Sequence, residues 1–265
     1  MEMMSFTEQL SFTAAWTVFS LGAWGVLWLV CRKVGALQAN PAYAAYNMAS
    51  TLPIVALSYY GIVGIRDVAA DELLSVQARM YVYDPVSEKI ALLQIALQIY
   101  TTVAAFAMKD AALLKPELLA HHVVTAVLMC VCLNPFVNSR GFMFFGLTEL
   151  SSIPLNVVYL LRRFPALKSA YPTVELAAKF CFSLSFLALR VVLSSKISWD
   201  LQRDLWQLYV SGTCHSVPAV AFVSLSNAFV AILQLYWATL IFAGLQKMLV
   251  GGGGGGGAKG GKKLS

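Results

Sequence analysis

Long apolar segments alternate with short polar ones along most of the chain. Seven of these apolar runs reach about 18 residues or more, the length that a helix needs to cross a hydrocarbon core of about 30 Å. They cover residues 12–30, 43–65, 90–108, 117–134, 141–161, 173–193 and 217–245. The pattern therefore predicts an all-α polytopic membrane protein with seven transmembrane helices.

The polar connections predict where these helices begin and end. The longest polar loop is residues 66–89, and Pro116 precedes the fourth run, where a proline suits the first turn of a helix. Residues 196–216 place Leu201, Leu205 and Leu208 at helical spacing among charged residues, which predicts an amphipathic helix at the membrane interface.

Three parts follow along the chain. Residues 1–42 form an amino-terminal segment with the first transmembrane helix, and residues 43–250 form the main helical domain. Residues 251–265 are a Gly/Lys tail of low complexity, which we expect to be disordered.

Composition supports a membrane protein and argues against several other classes. Hydrophobic residues make up 59% of the chain and charged residues 12%, a balance that soluble domains of this size rarely have. The net charge of +6 lies in short clusters at segment ends, without the aromatic interleaving expected of a nucleic-acid-binding stripe. The five cysteines show no spacing typical of a disulfide framework or a metal site. We therefore expect no nucleic-acid partner, no metal and no cofactor.

The distribution of basic residues predicts the orientation. If the amino terminus is outside, the cytosolic side collects eleven lysines and arginines against six on the other side, as the positive-inside rule requires. The carboxyl terminus is then cytosolic. The residues Lys262-Lys263-Leu264-Ser265 resemble the dilysine signal for retrieval to the endoplasmic reticulum, which is an address and not an anchor. We therefore expect a multi-pass protein of the endoplasmic reticulum membrane.

Ionisable side chains inside the apolar runs are the main clue to function. His121, His122, Glu149, Lys179 and Arg190 all lie within predicted spans, where a charge is costly unless it faces a cavity or a partner. At 1.5 Å per residue, His122 and Lys179 lie about 8–9 Å from the cytosolic ends of their helices and can share one layer. Glu149 lies near the midplane, within reach of either the histidine layer or Arg190. Because His121 and His122 point about 100° apart, we expect at most one to face a central cavity.

Polar side chains also repeat on one face of several runs. Glu149, Ser152 and Asn156 are spaced i, i+3, i+7, and Gln234 follows Asn227 by one heptad. Such faces either join helices through hydrogen bonds worth about 1 kcal/mol each or line a common cavity. A histidine has the same two interpretations, as a hydrogen-bonded contact residue or as a general base.

Four sequence elements resemble the TLC-domain family, which includes the ceramide synthases. They lie at residues 118–125, with the histidine pair, and at residues 149–156, 186–190 and 233–237, in matching order over roughly residues 43–250. The resemblance implies a six-helix ring around a lipid-accessible cavity, with one added amino-terminal span. Residues 147–152 lack the aspartates of the ceramide synthase signature, so the chain is nearer to the TLC-domain-containing subgroup linked to membrane lipid composition.

The resemblance and the polar residues lead to competing functional hypotheses. The first is a protein that binds or handles lipid and influences membrane lipid composition; its cavity residues would be Glu149, Ser152, Asn156, Lys179, Arg190, Gln234 and Trp237. The second is a ceramide-synthase-like N-acyltransferase that uses acyl-CoA and a long-chain amine, with His121 or His122 as the catalytic base. The third is a transporter or a structural membrane protein, although no inverted repeat is evident. The expected partner is membrane lipid or acyl-CoA.

Overall fold

The computed structural model describes residues 2–65, 75–134 and 136–251, and residues 247–251 by their backbone alone. In this part of the chain every regular element is a helix, which confirms the all-α prediction for the described residues. The α-helices are α1 (Phe6–Cys31), α2 (Pro41–Ile65), α3 (Val76–Tyr81), α4 (Pro85–Met108), α5 (Pro116–Cys132), α6 (Ser152–Arg163), α7 (Pro165–Ala170), α8 (Pro172–Ser185), α9 (Ser194–Val210) and α10 (Val217–Gly251). The predicted disordered tail beyond residue 251, with its dilysine pair, lies outside the described residues.

The helix ends follow local sequence chemistry. Ser5 and Glu8 form a capping box at the start of α1. Asp84 caps α4 by accepting hydrogen bonds from the next backbone amides, and Pro85 occupies the first turn. Pro116 begins α5, as predicted. Part of the predicted loop 66–89 is helical, because α3 and the first turn of α4 lie within it.

Six helical segments of the described chain are long and apolar enough to cross a membrane. They are Phe6–Cys31, Pro41–Ile65, Pro85–Met108, Asn138–Arg163, Pro172–Val210 and Val217–Gln246. Helix α5, which carries both predicted site histidines, has only 17 residues. At 1.5 Å per residue it is about 26 Å long, slightly shorter than a typical hydrocarbon core. The structure therefore supports six spanning helices and does not confirm the predicted seventh.

The structure differs from the prediction near residue 194, where we expected a break between a span and an interfacial helix. Instead, residues 172–210 form one continuous helical segment. The apolar stripe of α9, formed by Leu201, Leu205 and Leu208, is buried against residues of α5 and α10. The opposite face of α9 carries the exposed aromatic side chains of Trp199 and Trp206. Such aromatic residues are typical of a membrane interface.

The helices meet in a defined order around the candidate site. Helix α2 contacts α4, α4 contacts α5, and α5 contacts α10. Helix α10 contacts the segment 186–210, which contacts the segment 142–151, and the latter returns to α2. Helix α1 packs on α2 and α4. The polar residues described next lie where these segments meet.

Candidate functional site

Irregular helical turns carry the two charged residues at the centre of the site. Glu149 lies in a 3₁₀-helix, Leu147–Ser151, which follows a π-helix, Phe142–Gly146. Arg190 lies in a second π-helix, Phe186–Leu193. Such turns within longer helices frequently mark functional sites. At membrane depth, irregular backbone is tolerated only where it is buried in protein or lines a cavity.

Glu149 and Arg190 form an ion pair that is mostly shielded from solvent. Arg190 Nη2 lies 3.2 Å from Glu149 Oε1, and their side chains are 11% and 14% exposed. Arg190 also donates from Nε to Ser151 Oγ at 2.7 Å and from Nη2 to Ser152 Oγ at 2.9 Å. Glu149 accepts from Ser152 Oγ at 2.7 Å and from Gln94 Nε2 at 3.3 Å. The opposite charges and added hydrogen bonds are what a desolvated ion pair needs.

A narrow cavity lies beside this ion pair. Its interior volume is about 40 Å³. A long ligand would therefore need side chains to move. The polar residues in the wall are Gln94, His121, Thr125, Arg140, Thr148, Glu149, Arg190, Ser194, Asn227 and Gln234.

Several buried polar atoms on the cavity wall have no hydrogen-bond partner. Among the described residues, the buried side-chain atoms without a hydrogen-bond partner are His121 Nδ1, Thr125 Oγ1, Arg140 Nε and Gln234 Oε1. All four residues line the cavity. Most buried polar groups in proteins are hydrogen-bonded, and each exception costs about 1–3 kcal/mol. Arg140 Nε is a donor and Gln234 Oε1 is an acceptor, so the wall suits a ligand with both kinds of polar group.

The two histidines of α5 have different surroundings. His121 lines the cavity, and its ring packs edge-on against Trp237 with the ring centroids 5.5 Å apart. His122 Nδ1 lies 3.3 Å from Thr102 Oγ1, at the contact between α5 and α4. His121 is therefore the histidine placed to contact a ligand in this cavity.

Of the seven predicted cavity residues, the wall contains Glu149, Arg190 and Gln234 but not the other four, which are Ser152, Asn156, Lys179 and Trp237. Asn156 Nδ2 lies 2.9 Å from Thr51 Oγ1, so its amide joins α6 to α2. Lys179 Nζ lies 2.6 Å from the carboxylate of Glu175, one turn earlier in the same helix. This carboxylate is a local partner for Lys179, which is not among the residues of the cavity wall.

A second charge cluster, which the sequence reasoning missed, adjoins the cavity. Asp204 has a fully buried side chain and accepts hydrogen bonds from Arg79 Nη2 at 2.8 Å and Arg79 Nε at 3.0 Å. It also accepts from Arg140 Nη2. Hydrogen bonding to Asp204 raises the pKa of Arg79 above its ordinary value. The sequence feature that could have predicted this cluster is the acid at position 204 within the apolar stripe of α9. A carboxylate buried there requires a cationic or hydrogen-bonding partner.

Sequence comparison identifies the family. Residues 42–243 match the TLC domain. This range contains every residue of the cavity wall and the Glu149–Arg190 ion pair, and leaves α1 outside. A comparison with curated proteins gave no match. Because the TLC domain covers most of the chain, this protein belongs to the TLC-domain family of membrane proteins, which is generally related to lipids.

Proposed function

We propose that this protein binds membrane lipid in the cavity beside Glu149 and Arg190 and thereby influences membrane lipid composition. One observation carries the proposal: within the described chain, every buried side-chain polar atom without a partner belongs to this cavity wall. Apolar residues such as Leu128, Phe144 and Val230 complete the wall and suit an acyl chain. The ligand would therefore be amphipathic.

The proposal includes an arrangement in the membrane. The six-helix ring would consist of α2, α4, α5, the segments 138–163 and 172–210, and α10, with α1 packed outside α2 and α4. The excess of basic residues supports a cytosolic carboxyl terminus. The Lys262-Lys263 pair supports residence in the endoplasmic reticulum membrane.

Mass spectrometry of lipid retained by the gently purified protein tests this proposal. We expect the wild-type protein to retain lipid and the Gln234→Leu variant to retain about fivefold less. The reason is that the lipid loses a hydrogen bond to Gln234 Oε1, and about 1 kcal/mol corresponds to a factor of about five in affinity. The lipid-free variant should unfold at the same temperature as wild type or higher, since an unpaired buried acceptor has been removed.

Asn156→Leu is the matched control, because it makes the same kind of change outside the cavity. Its amide joins α6 to α2, so its loss should lower the free energy of unfolding by about 1–3 kcal/mol. The amount and identity of retained lipid should not change. Absence of lipid from wild type, or equal retention by wild type and Gln234→Leu, would contradict the proposal.

A second candidate function is N-acyl transfer from acyl-CoA to a long-chain amine, and the placement of His121 favours it. His121 Nδ1 is buried without a partner on the cavity wall. The amine nitrogen would attack the thioester carbonyl carbon while His121 accepts the amine proton. A C–N bond then forms, the C–S bond breaks, and CoA leaves as the thiolate that receives this proton. Arg190, on the same wall, would stabilise the oxyanion.

Purified protein incubated with acyl-CoA and a sphingoid base tests this second function. If it holds, His121→Ala should lower the rate of amide formation by a factor of about 10² to 10⁴, the usual contribution of a general base. His122→Ala should have a much smaller effect, because His122 contacts Thr102 and not the cavity. Absence of product, or a product formed equally by the His121 variant, would exclude this function and leave lipid binding unaffected.

A further inference from the structure

We propose that one end of the helix bundle binds the anionic headgroups of membrane phospholipids. This end is formed by residues 31–45, 108–118 and 160–179. Such binding is separate from the proposed lipid in the cavity, because it takes place on the outer surface of the protein.

A buried apolar cluster brings these three ranges together. It contains Cys31 from the end of α1, Tyr43 from the start of α2 and Phe164, which directly follows α6. Leu113, between α4 and α5, and Leu167 of α7 pack against the same cluster. The ends of α1 and α6, the start of α2 and the connection between α4 and α5 therefore form one surface.

This end of the bundle has an excess of positive charge. Among the residues whose side chains the structure describes, it carries eight basic and three acidic residues. They are Arg32, Lys33, Lys109, Lys115, Arg162, Arg163, Lys168 and Lys179, and Asp110, Glu117 and Glu175. The opposite end has five basic and six acidic residues in the described part of the chain. They are Arg79, Lys89, Arg140, Lys196 and Arg203, and Glu2, Glu8, Asp84, Glu88, Asp200 and Asp204. We therefore call the first end the basic end.

Most of the positive charge at the basic end is not paired within the protein. Asp110 pairs with Arg163 at 3.3 Å, and Glu175 pairs with both Lys168 and Lys179. The other five basic residues of this end form no ion pair with any residue that the structure describes, and all five are exposed. The third acid, Glu117, can offset only one of them. These cations are therefore available to an anionic ligand.

The unpaired cations lie where spanning helices end. Arg32 and Lys33 directly follow α1, Lys109 directly follows α4, and Lys115 directly precedes α5. Arg162 lies in the last turn of α6. At this level the hydrocarbon core meets the lipid headgroups, and long basic side chains reach the phosphates from there. Clusters of about four to eight lysines and arginines beside membrane spans are typical of binding to anionic lipids.

The charge balance favours an anionic lipid over a zwitterionic one. Phosphatidylcholine carries a cationic choline group beside its phosphate, so its headgroup has no net charge. An anionic headgroup keeps a net negative charge that can offset the excess at the basic end. Each lysine or arginine near the membrane surface should strengthen this attraction by a factor of about five.

Competition between two lipids for delipidated full-length protein, measured by native mass spectrometry, tests this proposal. The protein is offered equal amounts of dioleoyl phosphatidylserine, which is anionic, and dioleoyl phosphatidylcholine, which has no net charge. We expect wild type to bind phosphatidylserine at least about fivefold more, as expected from one basic residue near the headgroup. A triple variant with Lys33→Gln, Lys109→Gln and Arg162→Gln should lower this preference by a factor of at least about three, because it removes three of the five unpaired cations.

A second triple variant, with Lys89→Gln, Lys196→Gln and Arg203→Gln, is the matched control. It removes the same number of charges from the opposite end of the bundle and should keep the wild-type preference. An equal loss in both variants would show that total charge explains the preference, and would overturn the assignment to the basic end. Gln234→Leu should also keep the preference, whereas a loss there would place the anionic lipid in the cavity and overturn the proposal.

Salt provides an independent measurement on the wild-type protein. The preference should decline as ionic strength rises from about 0.01 M to about 1 M, because the Debye length falls from about 30 Å to about 3 Å. An unchanged preference, equal binding of the two lipids, or binding of neither would overturn the proposal. If the first triple variant does not fold, its three single variants replace it, and an undiminished preference in all three would overturn the assignment to these cations.

Discussion

The Asp204→Ala variant is expected to lose about 3–5 kcal/mol of unfolding free energy, the usual effect of removing one member of a buried ion pair. The Asp204 side chain is fully buried and accepts hydrogen bonds from two guanidinium groups, those of Arg79 and Arg140. Its loss removes the carboxylate that both guanidinium groups share. Asp204→Asn keeps the shape but not the charge, so we expect it to be nearly as damaging.

Thermal unfolding in detergent, followed with a thiol-reactive dye, measures this loss. The thiols of Cys31 and Cys132 are buried in the folded protein and react once it unfolds. Asp200→Ala is the control on the same helix, because Asp200 is partly exposed and pairs with Arg203 across 3.6 Å. An exposed pair of this kind contributes about 0–1 kcal/mol. Similar unfolding temperatures for the two variants would show that the Asp204 cluster does not stabilise the fold.

The Gly61→Ala variant is expected to cost about 3 kcal/mol or more, at or above the usual upper range for overpacking. A Cβ at Gly61 would lie 2.3 Å from the backbone N of Leu147 and 2.4 Å from the backbone carbonyl carbon of Gly146. Backbone atoms cannot rotate away as a flexible side chain can. Helix α2 would therefore have to separate from the 3₁₀-helix that carries Glu149. Lipid retention should fall together with stability.

Gly22→Ala is the control for this change of a helical glycine. A Cβ at Gly22 meets nothing within 4 Å, and alanine is favoured over glycine within a helix by about 1 kcal/mol. This variant should unfold at the wild-type temperature or slightly above it in the same dye experiment. If Gly61→Ala behaves like Gly22→Ala, the contact between α2 and the segment 146–147 is not close in solution.

The two predictions together connect stability with the candidate site. Gly61 fixes the position of the turn that carries Glu149, and Asp204 holds Arg140 beside the cavity. Each variant should therefore disturb the cavity wall as well as the fold. By contrast, Gln234→Leu should affect lipid retention without loss of stability, so it separates binding from folding.

The sequence by itself determined the class of protein and most helix positions. A hydrocarbon core requires long apolar helices with internally satisfied backbone, so length and composition alone predict them. Pro116 indicated the start of α5 because proline is favoured in the first turn. The sequence elements around His121, Glu149, Arg190 and Gln234 also led to the correct family.

Only the tertiary structure decided which polar groups meet. Glu149 and Arg190 lie 41 residues apart, and their contact depends on the rotation and axial offset of neighbouring helices. For this reason the sequence did not decide whether Glu149 contacts Arg190 or the histidines. It also left open which histidine lines the cavity, because a helical spacing of 100° separates His121 from His122 without showing which neighbour each one faces.

The observed contacts of residues 149–156 differ from the predicted polar stripe, and the helix is irregular in this region. The stripe of Glu149, Ser152 and Asn156 was derived for a constant 3.6 residues per turn. Residues 147–151 instead form a 3₁₀-helix, with about 3.0 residues per turn, after a π-helix. Ser152 stays beside Glu149 and also contacts Arg190, the off-stripe residue Ser151 contacts Arg190 as well, and Asn156 contacts α2. Periodicity in the sequence predicts the face of a regular helix, whereas packing against neighbouring helices determines where that regularity is interrupted.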